Sequence, residues 1–119
     1  NKPTLVIGAS ENEERYSNIA VKMLLSYQHN VFAIGNKLGS INNVPIMKGM
    51  PHFENIDTIT LYINKNIQKE YYDYIFSLKP SRIIFNPGTE NNELIALAEQ
   101  NGVSAIVACT LVLLKTEQY

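Results

Sequence analysis

Short apolar runs without alternation take turns along this chain with longer stretches in which apolar residues recur every third or fourth position. Thr4-Leu5-Val6-Ile7 is the first run, a pattern that predicts a strand covered on both faces, ended by Gly8. From about Asn18 to Gln28 the residues Ile19, Met23 and Tyr27 recur every fourth position with Ala20 and Leu24 beside them. This spacing predicts a helix, for which Ser17 is the expected N-cap. Val31 to Ile34 reads as a second strand, ended by Gly35. A loop rich in Gly, Asn and Pro follows from Asn36 to about Asp57, with at most a short helical turn near Ile46 to Gly49. Thr58 to Ile63 reads as a third strand, and Ile67 to Lys79 as a helix with Ile67, Tyr71, Tyr74, Ile75 and Leu78 on one face, stopped by Pro80. Arg82 to Phe85 is the fourth strand, turned by Asn86-Pro87-Gly88. Asn92 to Asn101 has helical period, with Gly102 as its left-handed terminal residue, and Val103 to Ala108 is the fifth strand. Cys109 to Tyr119 carries no assignable pattern.

Strands alternating with helices at this spacing imply right-handed crossovers and a parallel sheet. The expected fold is α/β: a Rossmann-like, doubly wound, five-stranded parallel sheet in the order 3-2-1-4-5, with helices on both faces. With no repeat and no linker, residues 1–119 read as one domain. A ligand crevice in such a sheet lies beyond the carboxyl ends of the strands where the winding reverses. In the expected order that point is between strands one and four. The loops Gly8 to Ser17 and Asn86 to Asn91 are therefore the candidates, with Asn36, Lys37 and Asn64 close by.

Composition narrows the classes of function. An apolar fraction of 45% argues for a packed core and against disorder. A formal net charge of -1 lacks the basic excess that a nucleic-acid binder needs. One cysteine forms no internal disulfide, which favours a reducing, cytoplasmic setting. The most apolar stretch, Val103 to Leu114, is short of the roughly 20 residues that span a bilayer. A strand begins at Thr4 with no charged-then-apolar leader before it, and the chain does not open with Met, so upstream residues are expected.

Gly8-Ala9-Ser10 leaves a buried strand and leads to a helix N-terminus, where free N–H groups and the helix dipole attract a phosphate. The dinucleotide fingerprint is incomplete, because Ser10 and Glu13 stand where its second and third glycines belong. Either the loop holds a phosphate or Gly8 merely turns the chain. Glu11, Glu13 and Glu14 would repel a pyrophosphate, so they are expected to face water. Arg15, the loop's one cation, either swings to the ligand or pairs with Glu11. After strand two an NAD site expects a carboxylate for the ribose hydroxyls, and Asn36 stands there instead. Its neighbour Lys37 offers a cation for a further phosphate on the ribose, or is a solvated loop lysine. His29 and His52 have no second ligand at metal spacing, and no nucleophile elbow or Walker-type loop is present. The clustered Asp residues of a phosphate-accepting receiver are missing, since strand three ends at Asn64. The charged run Glu11 to Arg15 is unlike a flavodoxin-type FMN loop.

Gly8-Ala9-Ser10 followed by Arg15-Tyr16-Ser17, a glycine-bounded second strand, and Asn86-Pro87-Gly88-Thr89-Glu90 before a last βα unit resemble the small single-domain CoA-binding proteins. Their fold is similar to the CoA-binding domain of the succinyl-CoA synthetase α subunit. Ala108-Cys109-Thr110-Leu111 is similar to a Cys-bearing segment of that family, and Gly35-Asn36-Lys37 departs from it where many relatives carry Asn-Pro. The resemblance spans the whole chain and implies coenzyme A or an acyl-CoA as the ligand. The pyrophosphate would lie near Gly8, Ala9, Ser10, Arg15 and Ser17, the nucleotide end over Asn36 and Lys37, and the pantetheine arm past Asn64 toward Asn86, Pro87 and Gly88. The expected function is CoA binding without catalysis. The alternatives are a subunit of an acyl-CoA synthetase acting with a partner chain, and an NADP-binding regulator. Cys109, at the end of strand five, is either a small buried residue or a thiol within reach of the CoA thiol. Tyr71, Tyr72 and Tyr74 either pack on the sheet or form a homodimer face.

Overall fold

A computed structural model describes residues 1–119 in full. Its elements in chain order are β1 (Thr4–Ile7), α1 (Tyr16–Ser26), β2 (Val31–Ile34), β3 (Gly39–Ile41), β4 (Val44–Met47), β5 (Thr58–Leu61), α2 (Lys65–Gln68), a 3₁₀ turn (Lys69–Tyr71), α3 (Tyr72–Ser77), β6 (Arg82–Phe85), α4 (Asn92–Gln100), β7 (Ser104–Val107) and α5 (Thr110–Lys115). β1, β5 and β6 are buried at every residue, which is why their sequences are continuous apolar or β-branched runs. Leu5, Ile7, Ile59, Leu61, Ile83 and Phe85 point to one face and pack with Ile75, Leu78, Leu94 and Ala98. Val6, Val31 and Ala33 point to the other face, against Val21, Leu24 and Leu114. The unassigned tail is thus helix α5, which packs on α1 and completes the second layer.

The fold is α/β and the sheet is mostly parallel, but strand number and order differ from the expectation. There are seven strands in the order β3-β4-β2-β1-β5-β6-β7. The two extra strands are a hairpin inside the stretch 36–57 that reads as a loop. Ile41, Val44 and Ile46 are buried at 3%, 8% and 2% exposure, and Asn42 and Asn43 turn the chain with both φ angles positive, as a two-residue hairpin requires. β4 pairs in parallel with Ala33 and Ile34. That pairing occupies the outer edge of β2, so the strand Thr58–Leu61 lies on the other side of β1. The five expected strands therefore run 2-1-3-4-5, and the winding reverses between β1 and β5, not between the first strand and the fourth.

Two helices also depart from the periodic reading. α1 starts at Tyr16 with Arg15 in the cap position, and Ser17 lies inside the helix. The stretch expected as one helix from Ile67 is broken into α2, the 3₁₀ turn and α3, and begins earlier because the Asn64 Oδ1 accepts from the Asn66 and Ile67 amides at 3.0 Å. A 3₁₀ turn advances about 120° per residue against about 100° in an α-helix. Ile67 thereby leaves the buried stripe and is 41% exposed, while Tyr74 is buried and Tyr71 and Tyr72 pack against the same core. No helix is long and apolar enough to cross a membrane.

Candidate functional site

A cleft of about 630 Å³ opens at the carboxyl ends of β1, β2 and β5, where the winding reverses. Gly8 to Asn12 and Arg15 form one wall, Ile34 to Lys37 a second, and Tyr62 to Asn64 with Ile67 and Tyr71 the third. Of the residues expected at the site, the cleft brings together Gly8, Ala9, Ser10, Arg15, Asn36, Lys37 and Asn64. Ser17 is buried beside it in α1, and Asn86, Pro87 and Gly88 are not on its walls.

The floor is set by backbone contacts. The Ile34 carbonyl accepts from both the Gly8 and Ala9 amides at 2.9 Å. Gly8 has φ +102°, and a Cβ there would lie 2.8 Å from the Tyr62 carbonyl oxygen, so only glycine lets β1 and β5 end this close together. At Gly35 a Cβ would run into the Ala9 carbonyl. These bonds leave the amides of Ser10, Glu11, Glu13, Tyr16 and Ser17 without an acceptor in the chain. The last two are the free amides of the first turn of α1, the end at which the helix dipole favours an anion. The Ser10 hydroxyl accepts from the Asn12 amide at 3.1 Å and keeps its own proton to donate. The Asn18 Nδ2 donates to the Ser10 carbonyl at 2.9 Å and anchors the loop from within the helix.

The three carboxylates of the loop are exposed to water, as expected, but two of them are engaged. Glu13 pairs with Lys22 at 3.2 Å, outside the cleft. The Glu11 Oε2 accepts from the Ser40 amide at 3.0 Å, which ties the first loop to the β3–β4 hairpin. Arg15 has no ion pair, neither with Glu11 nor with any other carboxylate, and it lines the cleft together with Lys37. Two unpaired cations and a set of free amides give this end of the sheet donors and positive charge that suit an anion.

Asn86 and its neighbours lie beneath the third wall as a buried network. The Asn86 Nδ2 donates to the Thr60 hydroxyl at 2.6 Å and to the Leu61 carbonyl at 2.9 Å, and its Oδ1 accepts from the Thr110 amide at 2.9 Å. The Thr89 hydroxyl donates to the Asn86 carbonyl at 2.8 Å. The Gln68 Nε2 donates to the carbonyls of Thr89 and Ile63, each at 2.8 Å. Asn-Pro-Gly-Thr therefore reaches the cleft at second hand, through Gln68 and the Ile63 carbonyl of the wall. Cys109 is half-buried at the start of α5 and is not on the cleft walls. Beside it the Tyr62 hydroxyl is buried near the Thr60–Thr110 pair without a hydrogen bond of its own. Burial pushes its pKa up to about 12.

The wall residues Tyr62, Ile63, Ile67 and Tyr71 are not among the site residues expected from sequence, nor is the anchoring role of Asn18. The signal for the first two was their place directly after a buried strand. Ile67 and Tyr71 carried no such signal, because helical period places them in the core.

Residues 2–115 match the family model of a CoA binding domain. No curated protein matches the chain. A crystal structure described as that of an uncharacterized protein superposes with a TM-score of 0.97 at 42% identity, over 99% of this chain and 98% of that one. The Thermus thermophilus protein cell-free ID.343 shares the fold with a TM-score of 0.87 at 13% identity, over 99% and 90% of the two chains. So does a dinucleotide-forming acetyl-coenzyme A synthetase from Ca. Korarchaeum cryptofilum, with a TM-score of 0.73 at 16% identity. The match covers 90% of this chain and 25% of the synthetase, so the chain spans a quarter of that protein's length. With a cleft lined by free amides and two cations at the switch point of its sheet and a family match over residues 2–115, the chain belongs to the CoA binding domain family.

Proposed function

We propose that the chain binds coenzyme A or an acyl-CoA in this cleft and performs no catalysis by itself. The observation that carries the proposal is the set of unbonded amides at Ser10, Glu11, Glu13, Tyr16 and Ser17, flanked by Arg15 and Lys37, in a chain of a CoA-binding family. The pyrophosphate sits at these amides with the Ser10 hydroxyl donating, and Arg15 closes over it. Asn36 and Lys37 receive the nucleoside end and its 3′-phosphate. The pantetheine arm leaves along Asn64 and Ile67, over the wall that the Asn86-Pro87-Gly88 turn supports from below. Calorimetric titration with CoA, acetyl-CoA, NAD, NADP and FMN tests the proposal. Saturable binding of CoA or acetyl-CoA, tighter than that of any other ligand in the set, is expected. A preference for NADP would overturn it in favour of a nicotinamide-nucleotide regulator.

A second reading is favoured by one observation, that the chain spans a quarter of the acetyl-coenzyme A synthetase that shares its fold. In that reading the chain is the CoA-holding subunit of a ligase whose remaining parts lie on a partner chain. Acyl-CoA formation from acid, CoA and nucleotide by a complex purified through this chain would support it, and its absence would favour the binding protein.

A further inference from the structure

Of the three glutamates in the first loop, only Glu11 lines the cleft, and its carboxylate is tied to the neighbouring hairpin. Its Oε2 accepts from the Ser40 amide, across 29 residues of sequence. The carboxyl group lies so close over Gly39 that a side-chain carbon at that position would overlap it. Glycine at 39 therefore makes room for the clasp. The contact draws Glu11 away from its own loop and sets its charge beside the chain that leaves β2, four residues after Gly35 and two after Lys37. Its other oxygen has no partner in the protein.

A fold of this kind that binds adenosine places an acidic residue at the end of its second strand, where the carboxylate accepts hydrogen bonds from the ribose hydroxyls. Here Asn36 occupies that position and brings no charge. We propose that Glu11 supplies the missing carboxylate from the opposite loop, as a specificity-determining residue for the ribose. Its free oxygen accepts a ribose hydroxyl, and its charge opposes a phosphate on the same ring. Lys37, on the adjoining wall, acts in the reverse sense. The two side chains together set how strongly the cleft distinguishes a phosphorylated ribose from one with both hydroxyls free. This inference rests on the proposal that an adenosine ligand such as CoA occupies the cleft.

The test is the ratio of dissociation constants for dephospho-CoA and CoA, measured by calorimetry on the parent chain and three variants. Glu11→Gln keeps an acceptor for the Ser40 amide and removes the charge. The expected change is a rise in the ratio of about threefold or more at low salt, diminishing at about 0.5 M salt as screening takes over. Gly39→Ala displaces the carboxylate while leaving the charge in the chain, and should move the ratio in the same direction. Glu14→Gln removes an equal charge from the same loop outside the cleft and should leave the ratio at the parent value. An unchanged ratio in Glu11→Gln, or an equal change in Glu14→Gln, would show that Glu11 only tethers the hairpin and would overturn the inference. Failure of the parent chain to bind either ligand would overturn the CoA reading and this inference with it, an outcome distinct from binding that ignores Glu11.

Discussion

Replacing Asn86 by alanine separates a structural role for the Asn-Pro-Gly turn from direct contact with the ligand. Asn86 is 2% exposed and makes three side-chain bonds, two as donor and one as acceptor. Its removal leaves the Thr110 amide with no acceptor and takes a donor from the Leu61 carbonyl, while the Thr60 hydroxyl keeps its bond to the Thr110 hydroxyl at 2.8 Å. One orphaned buried donor at about 1 to 3 kcal/mol, with two further bonds at about 1 kcal/mol each, sets an expected loss near 4 kcal/mol. Against a total stability of about 5 to 15 kcal/mol this is severe but need not unfold the chain. Urea denaturation, followed by circular dichroism and compared at constant m-value, measures it. CoA affinity, corrected for the unfolded fraction, should change less than about threefold, because the side chain points away from the cleft. A loss of stability below about 1 kcal/mol together with a tenfold loss of affinity would refute the network account and place Asn86 on the ligand.

Three other outcomes are expected. Gly8→Ala should cost more than about 2 kcal/mol in the same denaturation assay, since the new Cβ meets the Tyr62 carbonyl at a φ that side chains rarely adopt. A folded variant of parental stability would show that the strand ends can separate freely. Lys37→Ala should weaken CoA several-fold and dephospho-CoA little, with the difference shrinking as salt is added; equal losses for both ligands would remove Lys37 from the phosphate. Tyr62→Phe should leave stability at pH 7 unchanged or slightly higher, because the buried hydroxyl makes no hydrogen bond. Burial raises the Tyr62 pKa from 10.0 to about 12 in the folded chain, so the folded state binds the proton more tightly than the unfolded one. That contribution is complete below pH 10 and is lost as the pH rises toward 12. The parent should lose stability across that window and the phenylalanine variant lose less; identical alkaline profiles would show that Tyr62 ionises freely.

Local facts are written in the sequence: five of the seven strands, the glycines Gly8 and Gly35 that end two of them, the helix that begins at Asn92 and the positive φ of Gly102 after it. Burial on both faces writes itself into a strand as an unbroken apolar run, and amphipathic helices carry their period openly. These facts sufficed to select Gly8-Ala9-Ser10, Asn36, Lys37 and Asn64, which the cleft brings together. The β3–β4 hairpin is hidden in a stretch that reads as a loop with at most a helical turn near Ile46, because its strands are short, Gly and Asn surround them and Pro45 disguises one. Tertiary structure alone decided the strand order, because it depends on which edge of β2 is already taken, a competition between segments far apart in the chain. It also decided the parts played by polar residues. Asn86 points into the protein, where its Oδ1 accepts from the Thr110 amide 24 residues on, and Glu11 reaches the Ser40 amide because Gly39 leaves it room. A hydrophobic face is declared by its own residues, whereas a hydrogen bond needs a partner whose position only the folded chain supplies.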